Sequence, residues 1–428
     1  FGKTIPGIFS DEPNHGHRLG TDHATGKLLG LPWTSGLPAA FRRRYGYDLL
    51  PHLVELFLNV DGRPFSQARW HYHDCVTHLF VDSFGRQVGE WCEKNGLQFT
   101  GHVLMEDTLS QQTAVVGSAM RFYEHMQLPG MDLLTERWRA YTTAKQVSSA
   151  ARQSGRRVRL SETYGCTGWD FPFAGHKALG DWQAALGINL RCPHLAWYTM
   201  EAEAKRDYPA AISWQSPWWQ AYPKVEDYFA RINAVTSRGA EVRDLLVIHP
   251  VESTWLMVRP GWLDDPGVKR FDLQLVALED ALLGAHLDFD YGDEEILSRR
   301  AAVSKVKGTA ILKVGKAVYT TVLVPPTVTL RSTTVALLER FAAAGGRVVF
   351  AGPPADHVDA VPSDRAIALA ARAVRAPLAG ADLLQAVEPA RRVSIADPAG
   401  GEVSAALYLL VEDTDAFILF VCNTGLEG

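Results

Sequence analysis

The sequence has little cysteine, no excess of positive charge and no long apolar run. Its 5 cysteines are scattered and form no CxxC pair, which excludes a dense disulfide framework. Lys and Arg number 43 against 48 Asp and Glu, which excludes the strongly basic class of nucleic-acid-binding domains. No uninterrupted apolar stretch approaches the roughly 18–20 residues that a membrane-spanning helix needs. We therefore expect neither nucleic acid nor a membrane as a partner.

A secretory signal is also missing, because no charged segment precedes an apolar one at the N-terminus. The first residue is Phe1 rather than Met, and the residues after it have the pattern of a buried strand. We therefore expect the chain to be a piece of a longer protein, so the missing signal decides little about localisation. Scattered cysteines favour reduced thiols and hence the cytoplasm. With 47% hydrophobic residues in 428, a disordered chain is excluded and two or three domains are predicted.

The first half alternates short apolar segments with amphipathic ones. Strands are predicted at 4–10, 97–105, 130–134, 158–162 and 187–194, with helices at 38–57, 64–95, 112–126, 136–154 and 175–186. This order is typical of a parallel sheet with crossover helices. Strands that end in polar residues fit a βα-barrel, whose catalytic groups lie at the carboxyl ends of the strands. A closed barrel needs eight strands, so we interpret these as strands four to eight of a partial TIM barrel within residues 1–240.

The second half changes pattern twice. Residues 241–385 have predicted strands at 245–249, 286–291, 317–324 and 347–351 and helices at 271–284 and 332–344, which indicates a flavodoxin-like, doubly wound α/β domain. This region contains neither a GxGxxG nor a Walker A loop, so no nucleotide site is predicted there. Residues 386–428, with strands at 392–395, 405–411 and 416–422, are predicted to begin a β-rich domain. The fold class is α/β.

Carboxylates at two strand ends give the strongest indication of chemistry. Asp11 and Glu12 end the first predicted strand, and Glu162 ends the fourth. Glycoside hydrolysis needs such a pair, with one protonated carboxyl as the acid and one ionised carboxylate as nucleophile or base. The neighbouring charges of Asp11 and Glu12 raise the proton affinity of the less solvated one, which suits an acid. The structural alternative is that Asp11 or Glu12 caps the next turn or pairs with an arginine among residues 42–44.

Other candidate substrate contacts lie at or after predicted strand ends. Glu106 and Asp107 are expected either to bind sugar hydroxyls or calcium, or to cap the next helix. Trp169 follows Glu162 and is expected to stack on a pyranose face. Trp218 belongs to an aromatic cluster that serves either as a sugar subsite or as an inter-domain contact. The remaining candidates are His15, His102, Asn189, His194 and Tyr198.

Two other kinds of site are not supported by the sequence. His71 and His73 fall on different faces of a predicted helix, so they do not form a metal site. A GxSxG nucleophile elbow is absent. We therefore expect no metal and no cofactor.

The motifs GIFSDEP, GHVLMED and RLSETYGCTGWDF, with the segments LLVIHP, VLVPP and RVVFAG, carry a resemblance to a known group. The sequence resembles the retaining TIM-barrel glycoside hydrolases of clan A, most closely the family 42 β-galactosidases and the α-L-rhamnosidase-like hydrolases. The resemblance implies that Glu12 is the acid/base, that Glu162 is the nucleophile and that the substrate is a carbohydrate. It also implies a homo-oligomer, because the α/β segment is similar to a trimerisation domain. Clan A usually has Asn at the position of Asp11, where that Asn binds the sugar 2-hydroxyl.

Two alternatives to a retaining β-galactosidase-like enzyme stay open at this point. The first is an inverting α-L-rhamnosidase-like hydrolase in which Glu106 shares the work and calcium orients the sugar. The second is a non-catalytic carbohydrate-binding fragment, since a half-barrel lacks the strands that would complete it.

Overall fold

The computed structural model describes residues 2–16, 30–206, 208–210 and 212–425. Its first sheet is parallel and its strands follow in chain order, which confirms the predicted half-barrel arrangement. These strands are β1 (Gly7–Ser10), β2 (Gln98–Gly101), β3 (Leu128–Asp132), β4 (Leu160–Thr163) and β5 (Leu190–Pro193). Ile8 and Phe9 of β1 and Leu190 of β5 are exposed on the two outer strands. Because all five strands run parallel, their carboxyl ends lie at the same edge of the sheet.

Helices of this half lie between the strands, and some predicted ones are shorter or divided. They are α1 (Leu37–Tyr45), α2 (Gln67–Phe80), α3 (Gln87–Lys94), α4 (Leu109–Val115), α5 (Ala119–Tyr123), α6 (Tyr141–Ser154) and α7 (Phe173–Ala185). The prediction of one helix over 38–57 is wrong: Gly46 ends α1 with a left-handed φ of 81°, and a 3-10 turn follows at Leu50–Leu56. The predicted helix over 112–126 is likewise divided at Gly117, whose φ is 83°.

The predicted helix over 64–95 contains a π-helical segment, Val81–Arg86, between α2 and α3. Phe84 in this segment stacks on Phe122 of α5 with 5.9 Å between the ring centroids. A Cβ on Gly85 would lie 3.1 Å from the same ring, so a glycine suits this close packing. The wider π-helical turn thus lets Phe84 and Gly85 pack against the ring of Phe122.

Residues between the two halves and all later elements complete the fold. After 3-10 turns at Ala202–Lys205 and Trp219–Ala221 come α8 (Pro223–Thr236) and β6 (Ala240–Glu241). The later strands are β7 (Leu245–Ile248), β8 (Phe289–Gly292), β9 (Ala301–Val306), β10 (Thr309–Val314), β11 (Ala317–Tyr319), β12 (Thr321–Val324), β13 (Thr329–Leu330), β14 (Arg347–Ala351), β15 (His357–Val358), β16 (Val361–Pro362), β17 (Val374–Ala376), β18 (Ala406–Glu412) and β19 (Phe417–Asn423). The later helices are α9 (Val251–Trp255), α10 (Pro266–Gly284), α11 (Glu294–Arg300), α12 (Ser332–Ala343), α13 (Arg365–Ala370) and α14 (Ala381–Val387), with 3-10 turns at Trp262–Asp264 and Glu388–Ala390.

The second half contains a parallel sheet in the order β17-β14-β12-β7-β8. This order, with the first strand second from one edge, is that of the flavodoxin-like arrangement. The hairpin β9–β10 was not predicted from the sequence. The predicted strand at 392–395 is wrong, because the chain instead makes an isolated bridge between Ala396 and Glu402 around a turn that Asp397 caps. β18 pairs with β19 and also with β6 from the other end of this half.

The two parallel sheets share one hydrophobic core, which includes Phe99 of β2 in the first sheet and Val322 of β12 in the second. A buried ion cluster also joins the halves, because Arg121 of α5 lies 2.8 Å from Asp74 of α2 and 3.2 Å from Asp293 before α11. None of the helices in the described ranges is both long and apolar enough to cross a lipid bilayer.

Candidate active site

Polar side chains from each strand of the half-barrel meet at its carboxyl edge. Asp11 and Glu12 follow β1, His102 follows β2, and Glu162 lies at the carboxyl end of β4, one residue before its last. The predicted convergence of Glu12 and Glu162 is present, since both carboxyl groups interact with His102. Their separation in the sequence is bridged because parallel strands bring their carboxyl ends to one edge.

His102 is the centre of this group. Its ring is fully buried, and Nε2 donates a hydrogen bond to Glu162 Oε2 at 2.8 Å and lies 3.3 Å from Asp11 Oδ1. Burial alone would lower the pKa of His102, but the hydrogen bond to Glu162 and the charges of Glu106 and Asp132 raise it to about 9. His102 is therefore a protonated donor near neutral pH. Such a charge-assisted hydrogen bond fixes the orientation of the Glu162 carboxyl group.

Glu12 has the opposite tendency. Burial raises the pKa of Glu12, the His102 charge opposes this, and the charges of Asp11 and Glu162 raise it further. The site therefore combines a carboxyl that holds its proton more tightly, Glu12, with a carboxyl that is oriented by a buried histidine, Glu162. This division of roles between two carboxyl groups is the one that acid-assisted glycoside cleavage requires.

Glu106 and Asp132 extend the cluster beneath His102. Burial raises the pKa of Glu106 to about 8, against the opposing His102 charge. Burial likewise raises the pKa of Asp132 to about 7, with the charges of Glu162 and Glu12 adding to the rise. The backbone N–H of Asp132 donates to Glu106 Oε1 at 3.2 Å. Both groups are therefore able to hold or donate a proton near neutral pH.

Strained backbone conformations concentrate at the same edge. Glu12, Met105 and Tyr164 have φ values of 48°, 52° and 70°, and each follows one of the strands β1, β2 or β4. Non-glycine residues in the left-handed region cost about 1–3 kcal/mol each and persist where the surroundings enforce them. The positive φ of Glu12 thus indicates that the surrounding loop enforces the backbone conformation that positions its side chain.

Gly101 allows β1 and β2 to approach closely just before Glu12 and His102. Its φ is 123°, and a Cβ there would lie 2.0 Å from the backbone oxygen of Ser10. We predict that Gly101→Ala lowers the free energy of unfolding by about 3 kcal/mol, through overpacking and strain. Urea denaturation measures the change. Gly62→Ala is the matched control, because Gly62 also has a positive φ of 68° but open space around it; an equal loss in both variants would contradict the close-packing explanation.

The structure brings some further predicted residues to the cluster. His194 Nε2 lies 3.7 Å from Glu162 Oε1. Asp107 is adjacent to Glu106 but is held by Thr143, whose hydroxyl donates to it at 3.0 Å. Thr108, rather than Glu106 or Asp107, supplies the side-chain cap of α4.

Other predicted contacts lie elsewhere. Asn189 was predicted near the sugar, but it precedes β5 at the opposite edge, where its amide group binds the backbone of Arg157 and Arg159 at 2.8 and 2.9 Å. His15 packs its ring against Phe80 at 5.6 Å. Tyr198 is 96% exposed.

Two predicted aromatic contacts sit on the loops that follow β4 and β5. Trp218 packs beside a small hydrophobic cluster that contains Tyr164 and Phe171. Trp169 is half-buried in the loop after β4. A cavity of about 450 Å³ opens between the loops after β3 and β4, lined in part by Thr135 and Cys166. A separate cavity of about 530 Å³ is bounded in part by His52. Neither of these two cavities is lined by a residue of the carboxylate cluster.

Asp132 is a member of the cluster that the sequence interpretation missed. It ends β3 and is the register partner of Glu162 on β4. Its Oδ1 atom is buried without a hydrogen-bond partner among the described residues. The signal was available, because Asp132 ends its strand as Glu162 ends the next one.

The cluster contains two sets of side chains with metal-ligand spacing. One set is Asp11, His102 and Glu162, and the other is Glu12, His102 and Asp132, with the candidate ligand atoms of each set within 4.8 Å of one another. Carboxylate oxygens suit calcium, whereas an imidazole nitrogen does not. The four carboxylates therefore fit a hard cation only if His102 remains outside its shell as a hydrogen-bond donor. Glu106, which was predicted as a calcium ligand, is in neither set.

Similarity to proteins of known structure extends over most of the chain. A rhamnosidase from Novosphingobium sp. PP1Y matches with a TM-score of 0.68 and 18% identity, covering 93% of this chain and 38% of that one. An exo-carrageenase GH42 from Bacteroides ovatus has a TM-score of 0.64 and 10% identity, covering 97% and 59%. Gan42B, a GH42 β-galactosidase from G. stearothermophilus, has a TM-score of 0.53 and 13% identity, covering 79% and 52%. The chain has the fold of these glycoside hydrolases.

A sequence relative agrees with this. A protein of Formosa agariphila named "Putative beta-glucuronidase" is 24% identical over 226 residues, covering 50% of this chain and 18% of the relative. No protein-family profile matches the sequence. The chain spans less than two thirds of the length of each of these proteins. The predicted resemblance to TIM-barrel glycoside hydrolases is confirmed.

Proposed function

We propose that this chain carries the catalytic carboxyl groups of a glycoside hydrolase that removes terminal sugars from oligo- or polysaccharides in a β-galactosidase-like, retaining reaction. One observation carries the proposal. Glu12 and Glu162 follow or end the first and fourth strands of a parallel half-barrel, and both interact with the same buried His102. The experiment that tests it is an assay of the full chain against a panel of nitrophenyl glycosides, in which at least one must be cleaved.

The two carboxyl groups act in sequence on the glycosidic bond. Glu162 attacks the anomeric carbon while the bond to the leaving oxygen breaks, and Glu12 gives its proton to that oxygen. Water then attacks the anomeric carbon, Glu12 takes a proton from that water, and the bond to Glu162 breaks. The sugar leaves with its original anomeric configuration, and both carboxyl groups return to their starting states.

His102 is the positioning residue of this mechanism. Its hydrogen bond of 2.8 Å to Glu162 holds the nucleophile in place. Its positive charge reduces the electrostatic repulsion among the carboxyl groups of Asp11, Glu12 and Asp132. We propose that the hydroxyl groups of the sugar are bound by Asp11, Glu106, Asp107, Asp132 and His194. Trp169 is proposed to lie against the ring face.

The domain division belongs to the proposal as well. Residues 1–240 would supply the barrel part, 241–385 a flavodoxin-like domain that mediates a homo-oligomer, and 386–428 the start of a β-rich domain. The continuous core between the two parallel sheets supports a fixed placement of the second domain against the barrel.

The dependence of turnover on pH follows from the Glu12 proton. Turnover requires Glu12 protonated, so kcat/KM is full below the pKa of Glu12 and falls as pH rises through it. Because the His102 charge lowers the pKa of Glu12, His102→Asn should move this basic limb to higher pH. Measured kcat/KM across pH checks the shift. His125→Asn, on a half-buried histidine outside the cluster, is the control and should leave the limb in place; a downward shift in the His102 variant would contradict Glu12 as the acid.

The inverting, α-L-rhamnosidase-like alternative has a specific observation in its favour. The carboxylate-rich sets around His102 have metal-ligand spacing, and the rhamnosidase match covers 93% of the chain. In this alternative, Asp11, Glu12, Asp132 and Glu162 would hold calcium, which would orient the sugar hydroxyls. Two measurements distinguish the alternatives. A chelator should abolish turnover only if calcium is required, and proton NMR of the first-formed product shows inversion or retention.

A further inference from the structure

The segment that follows β5 exposes an unusual set of large apolar side chains. Tyr198 is 96% exposed, Trp214 58% and Tyr208 50%. Leu195, Met200 and Trp219 of the same segment are exposed as well. Exposed apolar patches on a folded protein usually mark a binding surface. We refer to these side chains, within the described residues of 195–219, as the aromatic platform.

The aromatic platform is attached to the loop that follows Glu162. The backbone N–H of Gly168 donates to the oxygen of Pro209 at 3.3 Å, and Gly168 forms a bridge with Ala210. Trp218 anchors the far end of the segment beside the cluster of Tyr164 and Phe171. The segment that carries the exposed rings is therefore attached to the loop that follows the proposed nucleophile.

The platform begins at the proposed nucleophile. His194 Nε2 lies 3.7 Å from Glu162 Oε1, and the His194 ring lies 5.7 Å from the ring of Tyr208. A ligand bound at Glu162 that continued past His194 would meet Tyr208 first. The aromatic platform is thus connected to the carboxylate cluster through His194.

The chemistry of this surface suits a neutral sugar chain. Its aromatic faces offer stacking for the CH groups of pyranose rings. Arg206 and Glu203 pair with each other, so the described part of the segment presents no basic patch that would attract a polyanion.

We propose that the aromatic platform binds successive sugar units of an oligo- or polysaccharide whose terminal residue lies at Glu162. The inference rests on the proposed function, because it takes Glu162 as the point of cleavage. It specifies the substrate class: a chain of several sugars, rather than a small glycoside with a non-sugar partner.

Native gel electrophoresis with soluble polysaccharide in the gel tests this proposal through binding rather than turnover. The probes are three neutral polysaccharides, galactan, galactomannan and xyloglucan, and the protein is the full chain with Glu162→Gln, so that no probe is consumed. At least one polysaccharide should retard the protein. Adding Tyr198→Ala and Trp214→Ala should weaken that binding by about tenfold for each aromatic removed, the upper range of a stacking contact.

Trp91→Ala is the matched control, because Trp91 is 46% exposed on α3, away from the segment. It should bind as the parent does. The proposal is overturned if none of the three polysaccharides retards the protein, or if Trp91→Ala weakens binding as much as the platform variants. It is also overturned if light scattering shows that Tyr198 and Trp214 hold a dimer together. Platform-dependent binding without any turnover in the unsubstituted chain would instead overturn the proposed hydrolase function.

Discussion

Replacing Glu162 with Gln should reduce kcat by about 10⁴-fold, the upper end of what a positioned carboxyl group contributes to such reactions. The amide has nearly the same shape as the carboxylate but cannot attack the anomeric carbon. Sugar binding should remain measurable, since the substitution leaves the surrounding side chains in place. Turnover of the best nitrophenyl glycoside and calorimetric binding of the corresponding free sugar together check this result.

A matched control separates chemistry from folding in this experiment. Glu279→Gln changes another buried glutamate, on α10 of the second half, which accepts hydrogen bonds from Thr142 of α6 at 2.7 Å and from Tyr291 of β8 at 2.5 Å. It should keep its turnover. If Glu162→Gln turns over glycosides as the parent does, the catalytic role of Glu162 is wrong and the carbohydrate-binding interpretation gains support.

Replacing Glu12 with Ala should have the second largest effect, about 10²–10³-fold on substrates with poor leaving groups, because no proton then reaches the departing oxygen. The loss should be much smaller for a dinitrophenyl glycoside, whose leaving group needs no proton. Azide should restore turnover of that activated substrate, because a small anion can enter the space of the missing carboxylate and attack the glycosyl-enzyme. Steady-state kinetics with both substrates, with and without azide, measure these effects.

The exposed Glu93 on α3 provides the control for this series. Glu93→Ala should leave both substrates and the azide response unchanged. An equal loss on good and poor leaving groups in Glu12→Ala would contradict the assignment of Glu12 as the acid, and would direct attention to Asp132, whose pKa burial raises to about 7.

The sequence was sufficient to predict the order of strands in the half-barrel and the meeting of Glu12 and Glu162. Apolar segments with polar ends determine which edge of a parallel sheet carries the polar groups, whatever the details of packing. His102 was a candidate although the predicted strand, 97–105, contained it; β2 ends at Gly101, so His102 directly follows its strand. Asp132 was missed, because the strand boundary predicted at Leu134 placed that aspartate inside the strand, whereas β3 ends at Asp132.

Strand boundaries also explain the error at Asn189. The predicted strand began at Gly187, which made Asn189 part of a polar strand end. In the structure β5 begins at Leu190, so Asn189 lies at the amino end of the strand, opposite the carboxylate cluster. The exposure of Tyr198 and Trp214 could not be predicted, because a tryptophan-rich segment has the same sequence pattern whether it packs between domains or faces solvent. Tertiary packing alone decides between these outcomes, as it did for the π-helical segment around Phe84.

Trapping of the glycosyl-enzyme tests the central claim most directly. A 2-deoxy-2-fluoro glycoside of the sugar that the panel identifies, with a dinitrophenyl leaving group, should inactivate the full chain and add the mass of one fluorosugar to the peptide that contains Glu162. Mass spectrometry of the digested protein locates the added mass, and Glu162→Gln should remain unlabelled. Label on a different carboxyl group, or turnover with no label on any peptide, would contradict the account.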